Sequence, residues 1–98
     1  MKFEDLVFEE TGLFKFINEK RYQAKVFFQN GYGASVIYGY GVYGTDEAPY
    51  ELAIIKGNDE DFEIIYDTPI TDNVVSYQTA EQITELLEKI EALSEVEQ

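Results

Sequence analysis

The chain contains no cysteine and no histidine, and only seven basic side chains stand against twenty acids. Without cysteine there is no disulfide framework, no thiolate metal site and no Cys nucleophile. Without histidine the usual zinc chemistry falls away, together with every Ser-His and Cys-His arrangement. No apolar run approaches the roughly 20 residues that a membrane helix needs. The opening MKFEDLVFEE has acids where a secretory signal places a basic region and then a long apolar one. The expected compartment is the cytoplasm. Carboxylates, Lys, Tyr, Ser and Thr remain for acid–base or nucleophilic work, and 98 residues leave little room for a cleft around a carboxylate pair. The expectation is a protein that is not an enzyme, with no cofactor and no bound metal.

What is present points to a folded domain. Hydrophobic residues make up 45% and aromatic residues 15%, far above a disordered composition. The length suits one domain, 1–98, with one modest core. The net charge of −13 is unevenly placed. Residues 1–29 carry five basic groups (Lys2, Lys15, Lys20, Arg21, Lys25) and five acids, whereas residues 30–98 carry only Lys56 and Lys89 against fifteen acids. Such a field repels nucleic acid and anionic membrane and favours basic partners. Its plainest role is to keep a small aromatic-rich protein in solution.

Residues 1–20 are apolar but poorly patterned, with Gly12 dividing Phe3, Leu6, Val7 and Phe8 from Leu13, Phe14, Phe16 and Ile17. They read as an irregular arm or short strands. Arg21 to Gln29 alternates, with Tyr22, Ala24, Val26 and Phe28 on one face. Asn30-Gly31 is a hairpin signal because both residues tolerate positive φ. A two-residue turn would set Phe28 against Gly33 and spoil the buried face. A three-residue connection, Asn30 to Tyr32, sets Phe28 against Ala34 and Val26 against Val36, with a glycine in the left-handed region. Tyr50 to Lys56 is apolar on both faces, as a central strand is. Gly57 to Asp61 closes a second hairpin, and Phe62, Ile64 and Tyr66 return facing inward, with Ile37, Ala53, Ile55 and Ile65 outward. Thr79 and Gln82 fit the capping box, and Ile83, Leu86, Leu87, Ile90 and Leu93 keep helical spacing over 79–94. Tyr77, before the cap, is placed to staple against Ile83. The expected fold is α+β: a four- to five-stranded antiparallel meander over 21–67, with one C-terminal α-helix packed on a face. Apolarity on both faces of the central strand suggests a second layer, either the N-terminal arm or another subunit, and so a homodimer.

Residues 30–57 hold six of the seven glycines and five of the eight tyrosines. Gly39 to Gly44 matches G-x-G-x-x-G literally. That motif binds phosphate when a helix follows it, and here Thr45-Asp46-Glu47-Ala48-Pro49 follows instead. The loop tyrosines Tyr40 and Tyr43, flanked by Tyr32, Tyr38 and Tyr50, have two readings. Tyrosine on a glycine-rich loop gives contact area at low entropic cost, as in antibody paratopes. Equally, alternate tyrosines fill a sheet's own core edge. Asp46 and Glu47 add charge to the loop, while Glu81, Glu85 and Glu88 form a helix stripe that is either a wet face or a contact for a basic partner. Asn58 to Asp61 lacks calcium-loop spacing and reads as a solvated hairpin tip. The basic cluster Lys15, Lys20, Arg21 and Lys25 reads as pairing internally with acids.

The runs NGYGASV (Asn30 to Val36), Tyr43-Gly44, YELAIIKG (Tyr50 to Gly57) and YDTPIT (Tyr66 to Thr71), followed by the leucine-rich acidic ending, are spread over about two-thirds of the chain. In these runs the sequence resembles a group of small proteins encoded by bacteriophages and prophages. The resemblance brings no catalytic residues with it. It implies a phage setting, inside the host cytoplasm, in which small acidic proteins bind and inhibit host machinery. The expected role is therefore non-covalent binding of a host or phage protein through Tyr40, Tyr43, Asp46, Glu47, Glu81, Glu85 and Glu88. Direct nucleic-acid binding and membrane association are not expected. The alternatives are a nucleic-acid charge mimic that fills a basic groove, and a nucleotide-binding sponge caged by loop tyrosines.

Overall fold

The structure, a computed structural model, describes residues 1–11 and 19–94. The expectations for Gly12 to Ile17, including Lys15, lie outside them. The element order is a 3-10 turn (Phe3–Asp5), β1 (Glu9–Glu10), β2 (Arg21–Phe27), β3 (Tyr32–Gly39), β4 (Tyr50–Gly57), β5 (Phe62–Ile64), β6 (Val75–Gln78) and α1 (Ala80–Glu91). The strands form one antiparallel sheet in the order β1-β2-β3-β4-β5, with β6 also on β4. This is the α+β meander with a C-terminal helix that the pattern predicts, enlarged by β1 and β6. β5 and β6 share the outer edge of β4: β5 pairs Ile55–Gly57, and β6 pairs Tyr50 and Leu52 at the other end.

The first hairpin has three loop residues, as expected, but they are Gln29, Asn30 and Gly31. Phe28 donates to the Tyr32 carbonyl at 2.7 Å, so Val26 faces Ala34 and Ala24 faces Val36. The pairing lies two residues from the expected one, and because side chains alternate with period two, the buried face is unchanged. Gly31 takes φ 89°, a conformation open to glycine without steric cost.

That face, Ala24, Val36 and Leu52 beside Ala34 and Ile54, receives Ile83, Leu87 and Ile90 of α1, and all eight are buried. Burying each large side chain contributes about 1.5–3 kcal/mol. The helix starts where the capping box predicts: Gln82 N–H donates to Thr79 Oγ1 at 3.1 Å, and Thr79 N–H donates to Gln82 Oε1 at 2.8 Å. Within the described part of the N-terminal arm, Phe3, Leu6 and Phe8 pack on this same face. Leu6 joins the helix core, and Phe3 N–H donates to Thr84 Oγ1 at 3.0 Å.

The phase of β5 is opposite to the expected one. Ile64 pairs with Ile55 and Phe62 with Gly57, so both side chains lie on the face away from α1, and Tyr66 is also exposed. Ile55 is nevertheless fully buried there. Phe27 meets Phe62 at 6.1 Å between ring centroids, and Lys25 Nζ sits 5.1 Å from the Phe62 centroid while pairing with Asp59 at 3.0 Å. No helix among the described residues is long and apolar enough to cross a membrane.

Candidate interaction surface

The tyrosines of the glycine-rich region divide into two groups. Tyr22, Tyr38 and Tyr50 stand side by side on β2, β3 and β4, beyond the end of the aliphatic core. Tyr22 stacks on Tyr38 at 4.9 Å and 18°, and Tyr38 meets Tyr50 edge-on at 5.5 Å. Phe8 and Phe3 cover them, Phe8 at 5.0 Å from Tyr38 and Phe3 at 4.8 Å from Tyr50. Burial, and secondarily the neighbouring Tyr38, raises the Tyr50 hydroxyl above the usual phenol range. Tyr32 also packs against the core. These tyrosines extend the core, while the two in the loop point out of it: Tyr40 is 44% exposed and Tyr43 70%.

The loop is anchored at several points. Arg21 Nε donates to the Tyr40 carbonyl at 2.9 Å, and Tyr40 N–H donates to the Lys20 carbonyl at 3.0 Å. Gly39 has φ 110°, and a β-carbon there would come within 2.4 Å of the Lys20 carbonyl oxygen. Thr45 and Ala48 close a turn, with Ala48 N–H donating to Thr45 Oγ1 at 3.0 Å, and Asp46 and Glu47 sit exposed at its tip. No helix follows the G-x-G-x-x-G run: the chain passes through this turn into β4, so the phosphate-binding geometry is missing.

Tyr77 N–H donates to the Tyr43 carbonyl at 3.4 Å, which ties the loop to the start of α1. The sequence pattern assigned Tyr77 to a staple against Ile83. Instead it has φ 58° and is 53% exposed. Glu81 lies in the first turn of α1, near this junction. Glu85 and Glu88 are exposed farther along, about 6 and 10 Å down the helix axis at 1.5 Å per residue. Of the seven expected contact residues, Tyr40, Tyr43, Asp46 and Glu47 share the loop, Glu81 opens α1 four residues after Tyr77, and Glu85 and Glu88 lie farther along the helix.

The remaining candidates resolve as structural features. Lys20 pairs with Glu10 at 3.7 Å, and Lys25 with Asp59. Asn58 Oδ1 accepts from Glu60 and Asp61 N–H at 3.0 Å each, making an ordinary hairpin tip. In YDTPIT, the Thr68 hydroxyl donates to the Thr71 carbonyl at 3.1 Å and Ile70 packs against the core, so this run shapes the excursion between β5 and β6. No cluster of three or more metal-ligating side chains occurs among the described residues. No protein-family model, curated protein or solved structure matches the chain.

Proposed function

We propose that this chain is a non-enzymatic accessory protein of phage type that acts by binding a protein of the host or the phage, with the loop from Tyr40 to Pro49 as the contact. The observation that carries this reading is the split among the tyrosines. Tyr38 and Tyr50 complete the core, while Tyr40 and Tyr43 stay exposed on a loop fixed by Arg21 and by the Tyr77 bond. Rigid exposed tyrosines offer large contact area at small entropic cost. The test is affinity capture from host cells with the wild-type chain and a Tyr40→Ala/Tyr43→Ala variant. The variant keeps its melting temperature and loses a protein that the wild type holds. Identical capture by both chains removes the loop from the interaction.

A second reading rests on the exposed stripe Glu81, Glu85 and Glu88, which suits a charge mimic lying in a basic groove. It predicts that Glu→Gln changes on the stripe, rather than changes in the loop, weaken capture, and that the captured protein is displaced by DNA or RNA.

A further inference from the structure

β6 carries one residue more than its partner strand. Leu52 and Tyr50 are two residues apart on β4, while the positions facing them, Val75 and Gln78, are three apart, so β6 bulges between them. Tyr77 sits in that bulge with φ 58°, the one non-glycine residue with positive φ among those described. Bulges re-aim side chains, and a bulky residue held in the left-handed region persists only where its surroundings enforce it. Here they do. The Ser76 hydroxyl donates to Glu51 Oε1 at 2.7 Å, and Tyr77 N–H reaches across to the Tyr43 carbonyl. The strained conformation leaves Tyr77 53% exposed. Its ring shares in none of the stacking that holds Tyr22, Tyr38 and Tyr50. Glycine would take this φ without strain.

We infer that Tyr77 and the loop form one aromatic surface on acidic ground, and that it fits a protein segment presenting arginine side chains. This rests on the loop reading above and specifies its partner. Tyr40, Tyr43 and Tyr77 are exposed, and Tyr77 is bonded to the Tyr43 carbonyl. Asp46 and Glu47 stand exposed at the tip of the loop, and Glu81 opens the helix four residues after Tyr77, in a chain of net charge −13. A guanidinium both stacks on an aromatic ring and pairs in bidentate fashion with a carboxylate, which a lysine ammonium does not. Nucleic acid meets only repulsion from the same ground.

The experiment titrates the isotope-labelled full chain with three synthetic peptides of equal length, Gly-Arg, Gly-Lys and Gly-Glu repeats. The arginine peptide binds most tightly and shifts the signals of Tyr40, Tyr43 and Tyr77, and the glutamate peptide does not bind. Tyr77→Gly melts at a higher temperature than the wild type yet binds the arginine peptide roughly three- to thirtyfold more weakly, the span of an exposed to a desolvated cation–π contact. Tyr77→Phe keeps the binding. Equal affinity for the arginine and lysine peptides, with shifts confined to Glu81, Glu85 and Glu88, overturns the inference. So does a Tyr77→Gly variant that binds as the wild type does. If the peptides fail while the Tyr40/Tyr43 variant still loses its captured protein, the cationic partner is wrong and the loop reading survives. If both fail, the loop is not the contact.

Discussion

Asn30 Nδ2 lies 2.9 Å from the carbonyl oxygen of Ile90, sixty residues later in the chain. The same amide reaches the Leu93 carbonyl at 3.0 Å and the Glu91 carbonyl at 3.3 Å, while Asn30 Oδ1 accepts from Tyr32 N–H at 3.0 Å. One side chain in the first hairpin loop thus closes its own turn and caps the C-terminal end of α1. The last carbonyls of a helix have no partner within the helix and carry its negative dipole end, so a donor placed there stabilises it.

The capping role makes Asn30 sensitive to the sign of the group, beyond its size. Asn30→Ala removes the two short amide bonds to the helix end and the turn bond from Tyr32, and should cost about 2–3 kcal/mol, at about 1 kcal/mol each. Asn30→Asp keeps the shape but sets a carboxylate against several carbonyl oxygens at the negative end of the helix. It should cost about 3 kcal/mol or more, since repulsion adds to the lost bonds. Urea unfolding of both variants measures this. An aspartate variant as stable as the alanine variant would show that the helix end is not capped by this residue.

How much of this was readable beforehand depends on whether the signal is local. β2 follows from alternation, β3 from the hairpin that Asn30-Gly31 marks, β4 from apolarity on both faces, and α1 from its apolar stripe and the Thr79–Gln82 box, because each signal is local in the chain. The reach of Asn30 to Ile90 is not local, and an Asn-Gly pair reads only as a turn. β6 carries no such signal because it is four residues long, too short for its Val-Ser-Tyr-Gln alternation to mark a strand. The bulge hid Tyr77, since left-handed geometry at a tyrosine leaves no compositional trace. For the loop, the sequence shows the tyrosines but not their division. Only the register of β2, β3 and β4 reveals that Tyr38 and Tyr50 continue the core while Tyr40 and Tyr43 lie past its end.

Tyr50 should report on the aromatic end of the core through its titration. Its hydroxyl is held above the usual phenol range, chiefly by burial. A group whose folded pKa is raised gives stability that is fully present below the unfolded value, here 10.0, and lost as pH climbs through the folded value. In ultraviolet titration, Tyr50→Phe should remove a late phenol ionisation, above the usual phenol range. The wild type should lose stability above pH 10 more steeply than Tyr50→Phe, which has no ionisable group there. A late step that survives the substitution assigns it to another tyrosine.

The phase of β5 gives the sharpest test of the sheet. Phe62, Ile64 and Tyr66 alternate so regularly that they read as a buried face, yet the four-residue tip Asn58 to Asp61 brings Ile64 opposite Ile55, which points away from α1. Ile54, one residue earlier on β4, points into the helix core and is 1% exposed, whereas Ile64 is 42% exposed. Ile54→Ala should therefore cost about 2–5 kcal/mol, the range for truncating a buried isoleucine. Ile64→Ala should cost about 1 kcal/mol, because much of its surface already meets water. Chemical denaturation of the two variants separates the registers. A loss of more than about 2 kcal/mol for Ile64→Ala, comparable to that for a core isoleucine, would put β5 one residue out of this phase, with Ile64 under the helix.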